Sequence, residues 1–477
     1  MSTVAHEVGE RAHPRVTLAV LSLGGLAYAV LSSSIVPALP TIQHSLHASE
    51  TGVAWLLTGY LLSASVGTAI LGRLGDMYGK EHVLVWTLVL LGAGTLMAAL
   101  VHSLPLLIAA RVIQGIGGGI FPLAFGIIRD EFPRERVAGS IGLMSAILGI
   151  GAGVGIVAGA TIVQQLSWQW LFWMPLAVIV VAAFCTWRFV PESPVRVPGR
   201  INWTAGALMS AGISIVLVAI SETTAWGWGS ARTLALLAVG LVLCAAWVAV
   251  EARSREPLID MAMMRIRGVW TTNLTAFLLG AGMYSSFVIF PQFAQLPKST
   301  GFGFGASVVV SGLYLLPSTI AMVLVGFAAG PIARRYGSRS AAIVGSLFAA
   351  ASFGLIAAAH DHPSEMLASA ALLGIGIGLA FAALGNLIVS AVAPHQTGAA
   401  GGMNTVMRTI GGALGGQLST TFVSAHVDAG GLPTVTGFTE TFWMATAFLV
   451  VCALAGLLIP GAPARRGVSR PATADAR

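Results

Sequence analysis

Two arginines lie inside long apolar stretches of this 477-residue chain, where a charged side chain is energetically costly. Arg111 begins the segment Arg-Val-Ile-Gln-Gly, and Arg408 begins Arg-Thr-Ile-Gly-Gly. Because arginine does not readily lose its proton, a guanidinium in an apolar run must face protein or water and find hydrogen-bond acceptors there. At Arg111 the pattern fits both a functional arginine and a structural one that ties helices together.

Amide side chains also fall inside apolar runs, where they can line a cavity. Each can instead form a hydrogen bond between two helices, which is the more ordinary use of an amide in a membrane helix. A cavity among such helices is expected to be uncharged apart from its arginines and lined by Phe, Trp, Met and Leu. That lining suits hydrophobic, neutral or weakly anionic substrates better than dications. The candidate cavity residues are Gln114, Asn273, Asn386, Asn404 and Gln417.

The stretch Gly72–Lys80 carries three glycines and three charges between two long apolar runs. We expect a short loop joining two membrane helices, with the glycines allowing a tight backbone. Asp76 can pair with Arg73 or Lys80, or it can cap the helix that follows. A solvated turn with a few charges is the plainer alternative.

Motifs for enzymatic chemistry are missing from the sequence. It has no Gly-x-x-x-x-Gly-Lys-Ser/Thr phosphate-binding loop, no His-Glu-x-x-His zinc motif and no nucleophile elbow. Cys185, Cys244 and Cys452 lie far apart in apolar runs, without metal-ligand spacing. The pair of histidines at 360 and 362 is expected to lie in a solvated turn. We therefore expect no cofactor, no metal site and no enzymatic activity.

The composition predicts a membrane protein. Hydrophobic residues make up 56% of the chain and charged residues 9%, against roughly a quarter charged in soluble domains. Apolar runs of about twenty residues recur, which is the length that an α-helix needs to cross a bilayer. The first run follows no cleavable signal pattern, so it is expected to be an uncleaved anchor. The fourteen predicted spans are 16–38, 52–74, 83–101, 105–127, 138–162, 170–190, 204–221, 231–250, 269–291, 305–328, 340–359, 366–392, 399–424 and 441–459.

The basic residues predict the orientation of these spans. Lys and Arg crowd into alternate loops and both tails, whereas the opposite side has only Arg232 and Lys298. By the positive-inside rule, both termini are expected in the cytoplasm of a bacterial cell, with the chain in the plasma membrane. The net charge of +7 is spread over many short loops, which argues against a nucleic-acid partner.

Two short segments recur at one offset of about 260 residues. Gly72–Lys80 is echoed by Gly330–Ser338, and Phe132–Gly139 is echoed by Ala393–Ala400. This repeat predicts two six-helix halves with two inserted helices between them. The predicted divisions are an N-terminal tail at 1–15, a first half at 16–200, an inserted pair at 201–252, a second half at 253–460 and a C-terminal tail at 461–477.

The residues Gly72, Leu74, Asp76, Gly79 and Lys80 resemble the loop between the second and third spans of major facilitator superfamily transporters. The order of six, two and six spans resembles the fourteen-span drug:proton antiporter branch of that superfamily. The resemblance implies an all-α polytopic membrane protein with the major facilitator fold, and a latch that closes the cytoplasmic side in the outward-facing state. The implied latch motif is Gly72, Arg73, Asp76, Gly79 and Lys80.

Further motifs are similar to those of the same branch. The segment that begins at Arg111 resembles the Arg-x-x-Gln-Gly motif of span 4, which that family associates with proton coupling. The segment that begins at Arg408 resembles an Arg-x-x-Gly-Gly pattern in span 13. Where the branch often has an aspartate in span 1, this chain has Ser32-Ser33-Ser34, which leaves the source of proton coupling open.

Glycines in the fifth span predict close helix packing. Gly151, Gly155 and Gly159 follow one another at intervals of four, so they lie on one face of a helix and form a groove for a neighbour. The branch carries Gly-Pro-x-x-Gly-Gly in this region, and the proline is absent here.

The resemblance implies a secondary active exporter of drug-like molecules that acts as a monomer, with a small-molecule substrate, protons and membrane lipids as partners. Two alternatives stay open: a dedicated exporter or importer of one metabolite, and a non-transporting sensor or lipid-handling protein on the same scaffold. Glu222, at the outer end of the seventh span, is the carboxylate best placed to carry protons, although an exposed loop carboxylate before Trp226 also fits. The proton-coupling candidates are Arg111, Glu222 and Arg408.

Overall fold

The computed structural model describes residues 14–193, 201–428 and 432–461. Those residues form long α-helices joined by short connections, with one isolated β-bridge between Val427 and Pro433 among them. The predicted tails at 1–15 and 461–477 lie almost wholly outside the described residues. Residues 194–200, in the connection before the seventh long helix, also lie outside them.

Fourteen long helices, α1 to α14, correspond to the fourteen predicted spans. Because lipid offers no water to the backbone, each crossing segment must satisfy its N–H and C=O groups within a helix. Length and hydropathy alone allow thirteen of the described helices to cross a membrane. The fourteenth, α13, has 29 residues but is diluted by seven glycines and Arg408. The bounds are α1 Pro14–Ser33, α2 Glu50–Tyr78, α3 Lys80–Leu100, α4 Leu104–Gly115 continued by Ile120–Glu131, α5 Arg134–Gln165, α6 Trp170–Phe189, α7 Trp203–Ser221, α8 Ala231–Arg253, α9 Arg267–Gln295, α10 Leu316–Tyr336, α11 Ser338–Ala358, α12 Pro363–Ala391, α13 Thr397–Ala425 and α14 Val435–Leu458.

Three spans are interrupted where the sequence supplies proline or glycine. In one of them a short helix at Val308–Leu313 precedes α10, which has Pro317 in its first turn. After α1 comes a 3-10 turn at Val36–Ala38 and a short helix at Leu39–Ser45, each with a proline in its first turn. Proline suits that position because the N–H it lacks has no partner there. Within α4, a 3-10 turn at Ile116–Gly119 coincides with three consecutive glycines, which weaken the α-helix.

The prediction of a loop at Gly72–Lys80 is wrong. Helix α2 continues to Tyr78, and Gly79 alone separates it from α3. Gly79 has a φ of +106°, a conformation that residues with a side chain rarely adopt. One glycine in that conformation redirects the chain, so most of the predicted loop belongs to the end of α2.

The helices form two six-helix halves, α1–α6 and α9–α14, with α7 and α8 as the inserted pair. Buried apolar side chains concentrate in two clusters, one centred on the first half and the inserted pair, the other on the second half. The halves meet along two seams, where α2 packs against α13 and where α5 packs against α10 and α12. Helix α7 contacts α2 and α13, so the inserted pair lies against one of the two seams.

Helix α5 presents glycines to two different neighbours. Gly151, Gly155 and Gly159 lie against the end of α1, and a methyl group added at Gly155 would lie 2.6 Å from the carbonyl oxygen of Val30. Since lipid provides no hydrophobic drive between helices, such close backbone approach is a main source of attraction. Helix α5 therefore holds α1 within its own half while it also touches the other half. The glycines that face α10 are Gly139, Gly142, Gly149 and Gly153.

Gly155→Ala is expected to destabilise the protein by about 1–3 kcal/mol, because the added methyl group meets backbone that cannot move aside. The matched control is Gly149→Ala on the same helix, where the methyl group meets only the flexible end of the Met322 side chain. Melting temperature in detergent is the measurement. Equal shifts for the two variants would contradict the tight α1–α5 contact.

Candidate functional site: the interface between the two halves

Asp76 joins the two halves at one end of the bundle. Its buried carboxylate accepts hydrogen bonds from the backbone N–H groups of Gly398 and Ala399, at 3.3 and 3.2 Å. These groups belong to the first turn of α13, whose unpaired N–H groups and dipole favour a negative charge. One of the alternatives predicted for Asp76 was a cap on the helix that follows it. The structure instead places its carboxylate at a helix of the other half.

Lys80 stands between two carboxylates behind this contact. Its buried ammonium lies 3.6 Å from the carboxylate of Asp76 and 2.7 Å from that of Asp130, at the end of α4. Asp130 also accepts a hydrogen bond from the hydroxyl of Ser193, just after α6. The other predicted partner, Arg73, forms no ion pair with Asp76 among the described residues, and its buried Nε lacks a hydrogen-bond partner there. Of the two predicted pairings, the structure forms the one with Lys80.

Arg129, which was not predicted as a site residue, binds the second half close to the residues that Asp76 contacts. Its guanidinium donates to the carbonyl oxygen of Val392 at 2.8 Å and to the hydroxyl of Thr397 at 2.6 Å. Val392 follows the last residue of α12, and a cation at a helix C-terminus is favoured by the dipole. The connection between α12 and α13 is therefore held by an arginine at the end of one helix and by Asp76 at the start of the next.

Glu192 caps the start of α3 from the segment after α6. Its carboxylate accepts a hydrogen bond from the backbone N–H of His82 and contacts the Nδ1 atom of the same histidine. Glu81 lies 3.2 Å from that Nδ1, so one nitrogen and two carboxylates gather at this corner, with ligand atoms within 4.8 Å of one another. This group could not be predicted from the sequence, because Glu192 is 110 residues from His82.

Arg111 is fully buried and bonded mainly to backbone. Its guanidinium donates to the carbonyl oxygens of Leu56 on α2 and Leu31 on α1, at 3.2 and 3.4 Å, and stacks 4.1 Å from the ring centre of Tyr60. Gln114 accepts from it at 2.8 Å and donates onward to Thr95 at 3.3 Å. All of these contacts are with helices of the first half. They favour a structural role for Arg111, in which it ties helices together.

The predicted cavity amides mostly bond to protein. Asn404 donates to the side-chain oxygen of Asn273 at 3.0 Å, so α13 and α9 are tied together within the second half. Asn386 donates to the carbonyl oxygen of Ala138 at 3.1 Å and so links α12 to α5 across the seam. Gln417 is half-buried on α13, nine residues beyond Arg408. Of these amides, the structure brings only Asn404 to the wall of the cavity that contains Arg408.

Arg408 faces a small cavity between the halves. The cavity measures about 20 Å³, and its wall includes Phe121, Phe125, Phe381 and Asn404. The guanidinium lies 4.7 Å from the ring centre of Phe381. A second cavity of about 20 Å³ lies between α5, α9 and α10, around Met322. Each has room for about one water molecule, whereas drug-sized pockets measure roughly 300–1,000 Å³. In this conformation the halves are closed around both.

Glu222 stands far from Asp76. It follows the last residue of α7 and is half-buried. The connection beyond it reaches α13 through Trp228, whose indole N–H donates to the hydroxyl of Thr421 at 2.8 Å. Thr421 lies near the end of α13 and Asp76 binds its beginning, so Glu222 and Asp76 mark opposite ends of the bundle.

The protein has two six-helix halves, and polar and charged side chains lie midway along the helices where the halves meet. This arrangement is typical of secondary transporters. The model of the Major Facilitator Superfamily matches residues 21–416 and 272–476, and the chain belongs to that superfamily. It is therefore a multi-pass membrane transporter and not an enzyme. The predicted family and the all-helical fold of about fourteen spans are confirmed.

Several relatives are bacterial proteins named for drug resistance or transport. The chain is 30% identical over 424 residues to the tetracenomycin C resistance and export protein of Streptomyces glaucescens, covering 87% of this chain and 77% of that protein. It is 28% identical over 395 residues to the multidrug transporter protein MdtP of Bacillus subtilis, covering 81% and 71%. It is 26% identical over 424 residues to a multidrug resistance protein B homolog of Mycobacterium tuberculosis, covering 86% and 77%. The human organic anion transporter MFSD10 has the same fold, with a TM-score of 0.65, 16% identity and coverage of 91% of this chain and 99% of that one.

Asp76→Asn is expected to lower transport by about tenfold or more with near-normal expression. The amide puts an NH₂ group against the N–H donors of Gly398 and Ala399 and removes the charge beside Lys80. Dye efflux from cells, measured beside membrane yield, is the test, with the exposed carboxylate of Glu135 changed to Gln as the control. Full transport by a well-folded Asp76→Asn protein would show that the contact is dispensable.

Arg111→Ala is expected to lower the melting temperature and the yield in detergent. Each carbonyl or amide left without its donor costs about 1–3 kcal/mol. Arg111→Lys should be intermediate, because lysine keeps the charge but cannot form the same fork or stack on Tyr60. Arg188→Ala, at the exposed end of α6, is the control. If the Arg111 variants melt like the wild type yet lose transport, the role of Arg111 is functional.

Proposed function

We propose that the chain exports hydrophobic or amphipathic small molecules from a bacterial cell by alternating access. The observation that carries the proposal is the cavity between the halves, with phenylalanines and Arg408 in its wall. Aromatic walls with a few polar groups are typical of sites for such molecules. The similarity to resistance exporters supports the same direction of transport.

The conformation described above is closed at the end that carries Asp76. We place that end in the cytoplasm, because the crowded basic residues lie in the connections on the same side. Opening towards the cytoplasm requires the contacts of Asp76 and Arg129 with the second half to break. Helices α1 and α5, joined by their glycine contacts, move together as one body. The substrate would enter from that side and leave on the other after the opposite ends of the two seams separate.

The energy is proposed to come from the proton-motive force. A force of about 150 mV supplies roughly 3.5 kcal/mol per charge, enough for a several-hundred-fold gradient of a neutral substrate. For neutral substrates a group must load a proton outside and release it inside. Glu222 is our candidate for that group, since it lies at the end of the bundle opposite to Asp76 and next to the contact between α7 and α13.

Everted vesicles that contain the protein are expected to accumulate amphipathic dyes and antibiotics on energisation and to release them when an uncoupler is added. No accumulation of any compound in a broad panel would contradict the exporter and favour a sensor or lipid-handling role. Accumulation of a single compound would favour a dedicated metabolite transporter.

Glu222→Gln is expected to abolish uphill transport of a neutral substrate in proteoliposomes that carry an imposed pH gradient. A glutamine cannot load a proton, so downhill exchange should persist while the response to the gradient is lost. Asp361→Asn, an exposed carboxylate before α12, is the matched control. If uphill transport by Glu222→Gln keeps its rate and pH dependence, another group carries the proton.

A further inference from the structure

Arg408 places a positive charge deep in the membrane region. It is the twelfth residue of α13, which puts it about 17 Å along the helix from Thr397. Every Asp and Glu in the described long helices lies within six residues of a helix end. The charge of Arg408 therefore has no carboxylate partner at its own depth in the described part of the chain.

Arg408 also lacks a hydrogen-bond acceptor. Among the described residues its guanidinium donates no hydrogen bond and makes no ion pair, and its ring contact is with Phe381. The ionisable groups near it are the phenols of Tyr28 and Tyr284, which are uncharged near neutral pH. Arg408 is half-buried. A cation removed in part from water and without a protein acceptor is costly, so the cavity favours a molecule that brings an acceptor.

Arg111 provides the comparison within the same protein. It lies in a similar apolar setting, but its guanidinium donates to two backbone carbonyls and to Gln114. One remaining nitrogen of Arg111, the buried Nη2, has no hydrogen-bond partner among the described residues, but Arg111 does not line the cavity between the halves. Arg408, by contrast, faces the cavity between the halves.

We infer that this cavity binds aromatic anions, with Arg408 holding the negative group and the phenylalanines packing against the rings. A guanidinium presents a planar fork that matches carboxylates and sulfonates, while Phe121 and Phe125 supply apolar walls. A cationic substrate of the same shape would instead be repelled. The inference rests on the proposed export function and names its substrate class.

The charge of an anionic substrate can itself couple transport to the membrane potential. An anion that leaves a cell whose interior is negative moves down the electrical gradient, so its own charge is the coupled charge. At equilibrium a tenfold gradient of a monovalent anion balances about 59 mV. Transport of such substrates therefore needs no protonatable carboxylate, which fits the absence of one beside Arg408 in the described helices.

The test uses proteoliposomes with equal pH on both sides and a potassium diffusion potential set by valinomycin. The probes are 2-naphthalenesulfonate, a permanent monoanion, and 2-naphthyltrimethylammonium, a permanent cation with the same rings. We expect the sulfonate to accumulate on the positive side, tenfold per 59 mV or so, and to reverse when the potential is reversed. The cation should move at least about tenfold more slowly.

Arg408→Gln should lower the rate for the sulfonate by about tenfold or more, equivalent to about 1.4 kcal/mol. Arg408→Lys, which keeps the charge, should retain a measurable part of the rate. Arg232→Gln, which removes an exposed positive charge at the start of α8, should match the wild type. Size-exclusion profile and melting temperature establish that each variant is folded.

The inference is overturned if the cation moves as fast as the sulfonate, or if a folded Arg408→Gln protein carries the sulfonate at the wild-type rate. A gradient steeper than tenfold per 59 mV or so would overturn coupling through the anion alone. If neither probe moves but the same preparation exports other compounds, the anion site is wrong and the export function stands. If nothing in the panel moves, both fail.

Discussion

The contact of glycine backbones across the two seams is the constraint on which the rest of the structure depends. In lipid, apolar side chains gain no hydrophobic free energy when they exchange lipid contacts for protein contacts. The halves are therefore held together by van der Waals packing of closely approaching backbones. Gly72 meets Gly398 on one seam, and Gly139 meets Gly330 on the other, with no side chain between the backbones. Surfaces of this kind fit closely without interlocking. They can therefore hold the halves together and still let them separate.

Charge then makes the two seams unequal. On the α2–α13 seam, Asp76 and Arg129 hold the α12–α13 connection at both of its helix ends, each with the sign that the local dipole favours. On the α5–α10 seam, the echoed segment has Arg334 at the position that corresponds to Asp76. Within the described part of the chain, Arg334 donates to the carbonyl oxygen of Glu135 at 3.3 Å and makes no ion pair. The repeat therefore conserves the close approach in both halves but places the charged latch in one. Removal of a single carboxylate can weaken one seam selectively.

The sequence allows the helices to be predicted better than their contacts. A crossing helix must be a long apolar run, so even α13 could be identified despite its glycines and arginine. The single-glycine connection at Gly79 could not be predicted, because no pattern in the neighbouring residues indicates that one residue with a positive φ replaces a loop. The partner of Asp76 was hidden for another reason: it is a pair of backbone N–H groups more than 320 residues away, which have no residue type to read. Arg129 and Glu192 were missed because they act on backbone in the same way.

The two arginines within the membrane helices differ in the hydrogen-bond acceptors that the protein offers them. The carbonyl of Leu31 is available to Arg111 because α1 ends at Ser33, and carbonyls in the last turn of a helix have no partner within it. The break in α1 thus creates the acceptor that fixes Arg111 in its own half. No comparable break lies beside Arg408, since α9 and α12 continue past it as unbroken helices. An arginine whose acceptors lie in its own half keeps those hydrogen bonds when the halves separate, whereas an arginine at the interface between the halves meets the molecules that enter there.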